Sequence, residues 1–197
     1  MAEITPTAIP DVKLVRPRRH GDARGWFSES WRADWGLFEA APIQDNHAYS
    51  SGGLTVRGLH YQGAPSPQAK LLRCVAGAIL DVAVDVRRGS PTYGQHVAAE
   101  LTAAGGEQLF VPHGFAHGYA TLTEEAHVLY KVDGPYDPDA EGAVRWDDPA
   151  LGIDWPLHLA RGGAPQLSAK DRAAPSLQDA APPFAYDTDA PHNCRCL

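Results

Sequence analysis

Three short polar segments of this sequence carry side chains that can transfer a proton or bind a metal ion. They are RGLHYQ from Arg57, QAKL from Gln68 and PHGFAHG from Pro112. If the first segment forms a strand, its alternation places His60 and Gln62 on one face. Gly58 allows the backbone to approach a neighbouring group closely, for example a ligand. Histidine titrates near neutral pH, so His60 is the first candidate for acid–base chemistry.

The third segment contains half of the cupin metal signature, P-x-G-x-x-H, which ends at His117. The other half requires H-x-H followed by a carboxylate. At the equivalent place the chain reads His60, Tyr61 and Gln62, so the second histidine is missing. Zinc and iron sites usually need about three strong protein ligands. The sequence therefore predicts this fold without a functional metal and without another cofactor.

The elements that must position these side chains are short alternating strands. In the segment from Ala78 to Val86, the valines fall on one face and Asp81 falls on the other. A carboxylate inside a sheet protein costs several kcal/mol unless it is paired, so Asp81 indicates a polar cavity. Other predicted strands are Ala126 to Val132, Leu54 to Val56, Leu71 to Val75, His96 to Leu101, Gln108 to Val111, Gly118 to Leu122 and Ala143 to Arg145.

Turn residues separate these strands along the whole chain, which contains 19 glycines and 17 prolines. Roughly six to eight short strands at spacings of about ten residues are typical of a sandwich or barrel. We therefore predict an all-β, cupin-like jelly-roll barrel with short peripheral helices, one of them around Ser30 to Phe38. Residues 1–175 form the predicted domain, and the Ala/Pro-rich residues 176–197 form an extended C-terminal segment.

Composition excludes several classes of partner. The 197 residues carry 17 basic and 24 acidic side chains, a formal net charge of −7, with no basic block, so nucleic acid is not expected. No apolar run approaches the roughly 20 residues of a membrane span, and none resembles a signal peptide, which predicts a cytoplasmic location. The cysteines, Cys74, Cys194 and Cys196, are too few and too unevenly spaced for a disulfide framework.

Taken in order along the chain, the motifs resemble those of the dTDP-4-dehydrorhamnose 3,5-epimerases. The resemblance covers Leu14 to Pro175 and includes DARGWFSE from Asp22, QDNH from Gln44, RGLHYQ from Arg57, QAKLLRCVAGAILDVAVDVRRGSPTYG from Gln68, VPHGFAHGY from Val111, Tyr130-Lys131, WDDPALGIDWP from Trp146 and LSAKDRAAP from Leu167. The whole series is highly specific, although no single motif is. It implies epimerisation of a dTDP-4-keto-6-deoxy sugar at C3 and C5.

The resemblance also implies catalytic roles. His60 is the expected general base for the proton alpha to the C4 ketone, and Asp171 is its orienting partner. Lys70 is the expected cation beside the enolate oxygen. Tyr130 is the expected acid that returns a proton to the opposite face of the ring. His117 is an expected further contact to the sugar.

Substrate-binding residues follow from the same resemblance. Arginine forks suit phosphate oxygens and amides suit a pyrimidine edge. The nucleotide and diphosphate contacts implied are Arg24, Glu29, Gln44, Asn46 and Arg57, and the aromatic packing candidates are Phe27 and Tyr136. The resemblance implies a homodimer in which Arg24 and Glu29 reach the partner's site. One departure is Ala48, followed by Tyr49, where many members carry serine.

Alternatives remain open at this point. The same residues would serve an epimerase that inverts only C3 or only C5 in a secondary-metabolite pathway. A metal-dependent cupin enzyme is disfavoured by the missing H-x-H. A non-catalytic sugar-nucleotide binding domain is disfavoured because it would need neither a base nor an opposed acid.

Overall fold

Short strands joined by turns make up most of the computed structural model, which describes residues 2–197. No helix in this range is long and apolar enough to cross a membrane. The strands are β1 (Glu3–Pro6), β2 (Lys13–Arg16), β3 (Arg19–Asp22), β4 (Gly25–Ser28), β5 (Gln44–Ser51), β6 (Val56–Gln62), β7 (Lys70–Ala76), β8 (Ala78–Asp85), β9 (His96–Thr102), β10 (Gln108–Val111), β11 (Phe115–Thr121), β12 (Glu125–Val132), β13 (Glu141–Ala143), β14 (Phe184–Tyr186) and β15 (Cys194–Cys196). The α-helices are α1 (Ala169–Ala173) and α2 (Leu177–Ala180), and 3-10 turns span Ala33–Trp35, Leu157–Leu159, Arg161–Gly163 and Pro191–Asn193.

Two antiparallel sheets form the body of the protein. The larger sheet has six strands in the order β1-β2-β10-β7-β12-β5, and the smaller has five in the order β13-β6-β11-β8-β9. Apolar side chains from both sheets meet in one core that includes Leu72, Val128, Ile79 and Ala83. The predicted all-β jelly roll is confirmed, with its strands arranged as two facing sheets.

Alternation along the strands divides the side chains between three apolar layers. In β8, Ala83 faces the core between the sheets, whereas Val82 and Val84 face a second core under the C-terminal segment. A third core on the outer side of the larger sheet includes Leu71 and residues of the segment 31–38. The faces predicted for β8 are confirmed, and Asp81 is fully buried on the inward face.

Strands β6 and β11 approach each other unusually closely at two glycines. Gly58 has φ +115°, and a Cβ there would lie 2.6 Å from the Cα of Gly118. A Cβ at Gly118 would in turn lie 2.6 Å from the carbonyl oxygen of Arg57. The close approach expected at Gly58 is therefore to the neighbouring strand and not to a ligand. It accompanies a register shift between His117 and Tyr119 that leaves His60 directly opposite His117.

Most predicted strands are present with slightly different ends, and two segments differ more. The strand predicted from Leu54 begins at Val56 and continues to Gln62. The short helix predicted around Ser30 to Phe38 is only a 3-10 turn, because Gly36 leaves the helical region with φ 64°.

The C-terminal segment folds back on the body and is anchored by a buried arginine. Arg87 has no exposed surface and forms ion pairs with Asp85 at 2.7 Å and Asp11 at 2.9 Å. Its Nη1 also donates to the carbonyl oxygen of His192 at 2.8 Å. Phe184 of the segment is 1% exposed, so residues after 175 contribute to the core. The division of the chain at residue 175 stays a prediction.

Replacing Arg87 by methionine should lower the free energy of unfolding by about 3–5 kcal/mol, because Asp85 would remain buried without its partner. Urea unfolding followed by tryptophan fluorescence measures the change. Arg161→Met is the matched control, since its ion pair with Glu124 is exposed and should contribute less than about 1 kcal/mol. Equal stability of the two variants would contradict this account of the anchor.

Candidate active site

Polar residues from both sheets line two cavities between them. The larger cavity has a volume of about 330 Å³ and the smaller about 260 Å³, and both are lined by His60, Lys70 and Tyr130. Lys70 begins β7 and Tyr130 lies in β12, both in the larger sheet. His60 lies in β6 of the smaller sheet. A ligand between the walls would therefore meet the imidazole on one side and the phenol on the other.

His60 is held by a carboxylate on a short helix. Its Nε2 lies 2.6 Å from Oδ1 of Asp171, whose side chain is 4% exposed. Ser168 caps α1 by accepting from the Asp171 backbone N–H, and its hydroxyl donates to Asp171 Oδ2 at 2.8 Å. Burial would raise the pKa of Asp171, but the hydrogen bonds from His60 and Ser168 outweigh it and the pKa is lowered. The ionised carboxylate fixes the orientation of the imidazole.

A second histidine faces the first from the adjacent strand. His117 Nε2 lies 2.7 Å from Asp81 Oδ1, and both side chains are almost completely buried. Burial lowers the pKa of His117, although the charge and hydrogen bond of Asp81 oppose this effect. His117 is therefore neutral at pH 7 and forms part of the polar wall of the smaller cavity. Asp81 itself is fully buried and lines neither cavity, but its partner His117 lines the smaller one.

Lys70 and Tyr130 have pKa values suited to different tasks. Desolvation lowers the pKa of Lys70 to about 8, with the charges of Glu141 and Asp81 opposing the shift. The ammonium is still the major form at pH 7 and can stabilise negative charge on an oxygen in the cavity. Burial raises the pKa of Tyr130, with Arg57 opposing it. The phenol therefore remains protonated and available as a proton donor.

The substrate-binding candidates of β5 and β6 also reach the cavities. Gln44 and Asn46 line the larger cavity, where Gln44 Nε2 donates to Asn46 Oδ1 at 2.8 Å. Arg57 lines the smaller cavity, and its Nε donates to Ser50 Oγ at 3.1 Å. Ala48 lines the same cavity, so the departure noted in the sequence lies at the site.

Tyr136 stands at the rim of the larger cavity on the loop after β12. Its side chain is 58% exposed, and its hydroxyl donates to Glu141 Oε2 at 2.8 Å. Gln62 secures this loop by donating to the carbonyl oxygen of Pro135 at 2.8 Å and accepting from the Asp137 N–H at 2.9 Å. An exposed ring in this place can pack against a planar ligand at the cavity mouth.

Three candidates lie apart from both cavities. Arg24 and Phe27 belong to the β3–β4 hairpin, which forms its own two-stranded sheet. The Arg24 side chain is 90% exposed and pairs with Asp22, and Phe27 is 69% exposed. Glu29 pairs with Arg32 at 3.1 Å. Within one chain, the structure does not bring these residues to the site.

Several further residues line the cavities although the sequence did not assign them to the site, among them Ser168, Glu141, Gln62 and Gln68. Ser168 has a recognisable signal, because Ser-x-x-Asp is a helix-capping pattern. Glu141 follows an irregular loop, so no alternation indicated which way its side chain faces. Gln62 and Gln68 belong to the polar segments noted in the sequence and line the larger cavity. In residues 2–197, no group of three His, Cys, Asp or Glu side chains is arranged to hold a metal ion.

Comparison with known proteins gives a consistent result over nearly the whole chain. A sequence model described as dTDP-4-dehydrorhamnose 3,5-epimerase matches residues 6–179. The dTDP-4-dehydrorhamnose 3,5-epimerase of Sinorhizobium fredii is 48% identical over 182 residues, which are 91% of each chain.

Solved structures also resemble this chain. The dTDP-6-deoxy-D-glucose-3,5-epimerase RmlC of Legionella pneumophila, in complex with dTDP-4-keto-L-rhamnose, has a TM-score of 0.84 and 41% identity, covering 90% of this chain and 94% of its own. ChmJ of Streptomyces bikiniensis, a 3'-monoepimerase in complex with dTDP-quinovose, has a TM-score of 0.80 and 35% identity, covering 88% and 87%.

The lowered pKa of Lys70 can be tested without substrate. A ¹³C NMR titration of the lysine side chains should show one resonance with a midpoint near pH 8, because desolvation disfavours the ammonium. This resonance should be missing from Lys70→Met. If all lysines titrate above pH 10, the cavity is more hydrated than its geometry indicates.

Proposed function

The chain belongs to the dTDP-4-dehydrorhamnose 3,5-epimerase family and is an isomerase, and we propose that its reaction proceeds by proton transfer between the two walls of the cavity. The substrate is dTDP-4-dehydro-6-deoxy-D-glucose. Inversion at C3 and C5 converts it to dTDP-4-dehydro-L-rhamnose. The observation that carries this mechanism is that His60 and Tyr130 line the same cavities from opposite sheets.

The base is the His60–Asp171 pair. The neutral imidazole removes the proton from the carbon next to the C4 ketone, and the electrons of the C–H bond move into the ketone to form an enolate. Asp171, 2.6 Å from His60 Nε2, orients the ring and stabilises the imidazolium that results. Ser168 keeps the carboxylate in place, since it both caps α1 and donates to Asp171.

The enolate is stabilised by Lys70 and protonated by Tyr130. The ammonium of Lys70 lies within the desolvated cavity, where its attraction to a developing oxyanion is stronger than in water. Tyr130 then donates its phenolic proton to the carbon from the face opposite His60, which inverts the centre. Solvent reprotonates the tyrosinate and accepts the proton from the imidazolium. The same groups act on C3 and C5 in turn.

The nucleotide is bound by the polar residues at the ends of the cavities. The Arg57 guanidinium supplies donors for the diphosphate, and Gln44 and Asn46 supply amides for the nucleotide. Tyr136 packs against the planar base at the rim. His117 contacts the sugar from the smaller sheet, beside His60.

A homodimer explains the three candidates that lie apart from the cavities. Trp26 and Phe27 of the β3–β4 hairpin are 60% and 69% exposed, so two adjacent aromatic side chains are available for contact with another molecule. In our proposal this hairpin packs against a second copy, so that Arg24, Phe27 and Glu29 complete the partner's nucleotide site.

The three cysteines are unpaired, which suits the reducing cytoplasm that we propose as the location of the protein.

Proton NMR in deuterium oxide tests the mechanism directly. With dTDP-4-dehydro-6-deoxy-D-glucose, the wild-type protein should incorporate deuterium at both C3 and C5. His60→Ala should lose nearly all exchange, at least about a thousandfold, because the base is removed. Tyr130→Phe should still exchange protons while net epimerisation falls, because abstraction precedes protonation by the acid.

Each outcome identifies which part of the proposal is wrong. Deuterium at a single carbon would indicate the single-centre reaction. Wild-type epimerisation by Tyr130→Phe would remove Tyr130 as the acid. Binding of dTDP, measured by calorimetry, should be retained by His60→Ala and confirms that the variant is folded.

Mixed dimers test the sharing of residues between subunits. His60→Ala and Arg24→Ala should each be weakly active alone at low substrate concentration. A purified heterodimer of the two should recover about half of the wild-type rate, because one of its two sites then contains neither substitution. If Arg24 serves its own subunit's site, both sites of the heterodimer are impaired and no activity is recovered.

A further inference from the structure

Glu141 is a carboxylate that lines the larger cavity and has no role in the proposed proton transfers. It begins β13 and pairs in register with Gln62, while Ala143 pairs with His60. Its side chain is 14% exposed and lines the larger cavity together with Lys70 and Tyr130. A mostly buried carboxylate needs hydrogen bonds or an ion pair to offset the loss of hydration. Its partners therefore indicate what it does.

One oxygen of Glu141 joins two separate elements of the site. The Tyr136 hydroxyl donates to Oε2 at 2.8 Å, and the Lys170 ammonium forms an ion pair with the same oxygen. Tyr136 stands on the rim loop, whereas Lys170 lies in α1 immediately before Asp171. The carboxylate therefore connects the rim of the nucleotide end to the helix that holds the catalytic histidine.

Glu141 adds to the other contacts of the two elements, which include the hydrogen bonds of Gln62 to the rim loop and the Ser168 cap of α1. The Tyr136 ring is more than half exposed, and its backbone N–H donates to Gln44 Oε1 over a long 3.3 Å. Among residues 2–197, Glu141 supplies the side-chain hydrogen bond of the Tyr136 hydroxyl. Helix α1 is only five residues long, so its own hydrogen bonds contribute little to its stability.

The charge of Glu141 also acts on Lys70. Burial would raise the pKa of Glu141, but the contacts with Lys170 and Tyr136 and the charge of His60 lower it, so the group is ionised at pH 7. Its negative charge opposes the desolvation that lowers the pKa of Lys70. Removing this charge should therefore lower the pKa of Lys70 further, so that the ammonium loses its proton at lower pH.

We infer that Glu141 is a positioning residue of the epimerase reaction, which fastens Tyr136 to the helix of Asp171 through its contacts with Tyr136 and Lys170. Packing of the nucleotide base against Tyr136 is thereby coupled to the orientation of the His60–Asp171 pair. The inference rests on the proposed function, since the roles of Tyr136 and Asp171 come from it.

The test compares Glu141→Gln with Lys170→Met and with the double variant. Glutamine can still accept from Tyr136 but loses the ion pair and the charge. We expect kcat to fall about tenfold with KM changed by less than about threefold, because alignment is lost more than binding. The alkaline limb of the kcat/KM profile should move to lower pH in Glu141→Gln and not in Lys170→Met.

The double variant and a control separate coupling from general damage. Both substitutions remove the same ion pair. The decrease in kcat of the double variant should therefore be smaller than the product of the two single decreases. Glu124→Gln is the matched control, since its ion pair with Arg161 is exposed, and it should leave kcat and the pH profile unchanged.

Two results would overturn the inference. One is a Glu141→Gln variant with kcat within twofold of wild type and an unmoved alkaline limb. If that variant does not fold, a Lys170→Met variant with unchanged kcat overturns it instead, because Lys170 is half exposed and its removal should not prevent folding. The wild type distinguishes these results from failure of the proposed function. If the proposed function is wrong, the wild type itself shows no deuterium exchange.

Discussion

Charged groups between two sheets are separated from water, and the rest of this structure depends on how each one is paired. Asp81, Asp85 and Asp171 are 0%, 0% and 3% exposed. Their partners, His117, Arg87 and His60, lie at 2.7, 2.7 and 2.6 Å. An unpaired carboxylate in such a place would cost several kcal/mol, so the packing of β8, β11 and α1 must keep each carboxylate in contact with its partner.

The same constraint produces the chemistry of the cavity. The glycines of β6 and β11 allow the strands to approach, and His60 and His117 consequently stand side by side on one wall. Each histidine has its own carboxylate, but only His60 is partly open to the cavity, with 29% of its side chain exposed against 8% for His117. One imidazole is therefore available to a ligand, whereas the other is mainly part of the wall.

Much of this arrangement could be predicted because it follows from alternation within single strands. Asp81 and Tyr130 each lie in a regular strand, and their inward orientation follows from the residues on either side. The orientation of Glu141 could not be predicted in this way, because it comes after a loop and depends on pairing with β6, 79 residues earlier at Gln62. The partner of Gly58 was missed for the same reason, since a long-range contact leaves no local pattern.

The isolated β3–β4 hairpin shows a different limit of local reasoning. Its residues were assigned to nucleotide binding by resemblance, yet in the single chain they pair with each other and with solvent. Pairing between subunits is not encoded in the spacing of residues along one chain. The exposed aromatic rings of the hairpin are the observation on which the proposed contact with a second copy rests.

The anchor at Arg87 joins residues from both ends of the chain. Its carbonyl partner at His192 lies 105 residues later in the chain, and Asn193, which also contacts it, donates to Asp11. Asp11 and Asp85 precede Arg87 in the chain, whereas the carbonyl oxygen of His192 becomes available only after 105 further residues have been made. Arg87 can therefore be neutralised by carboxylates from the first half of the chain, and its set of acceptors is completed only when the C-terminal segment docks.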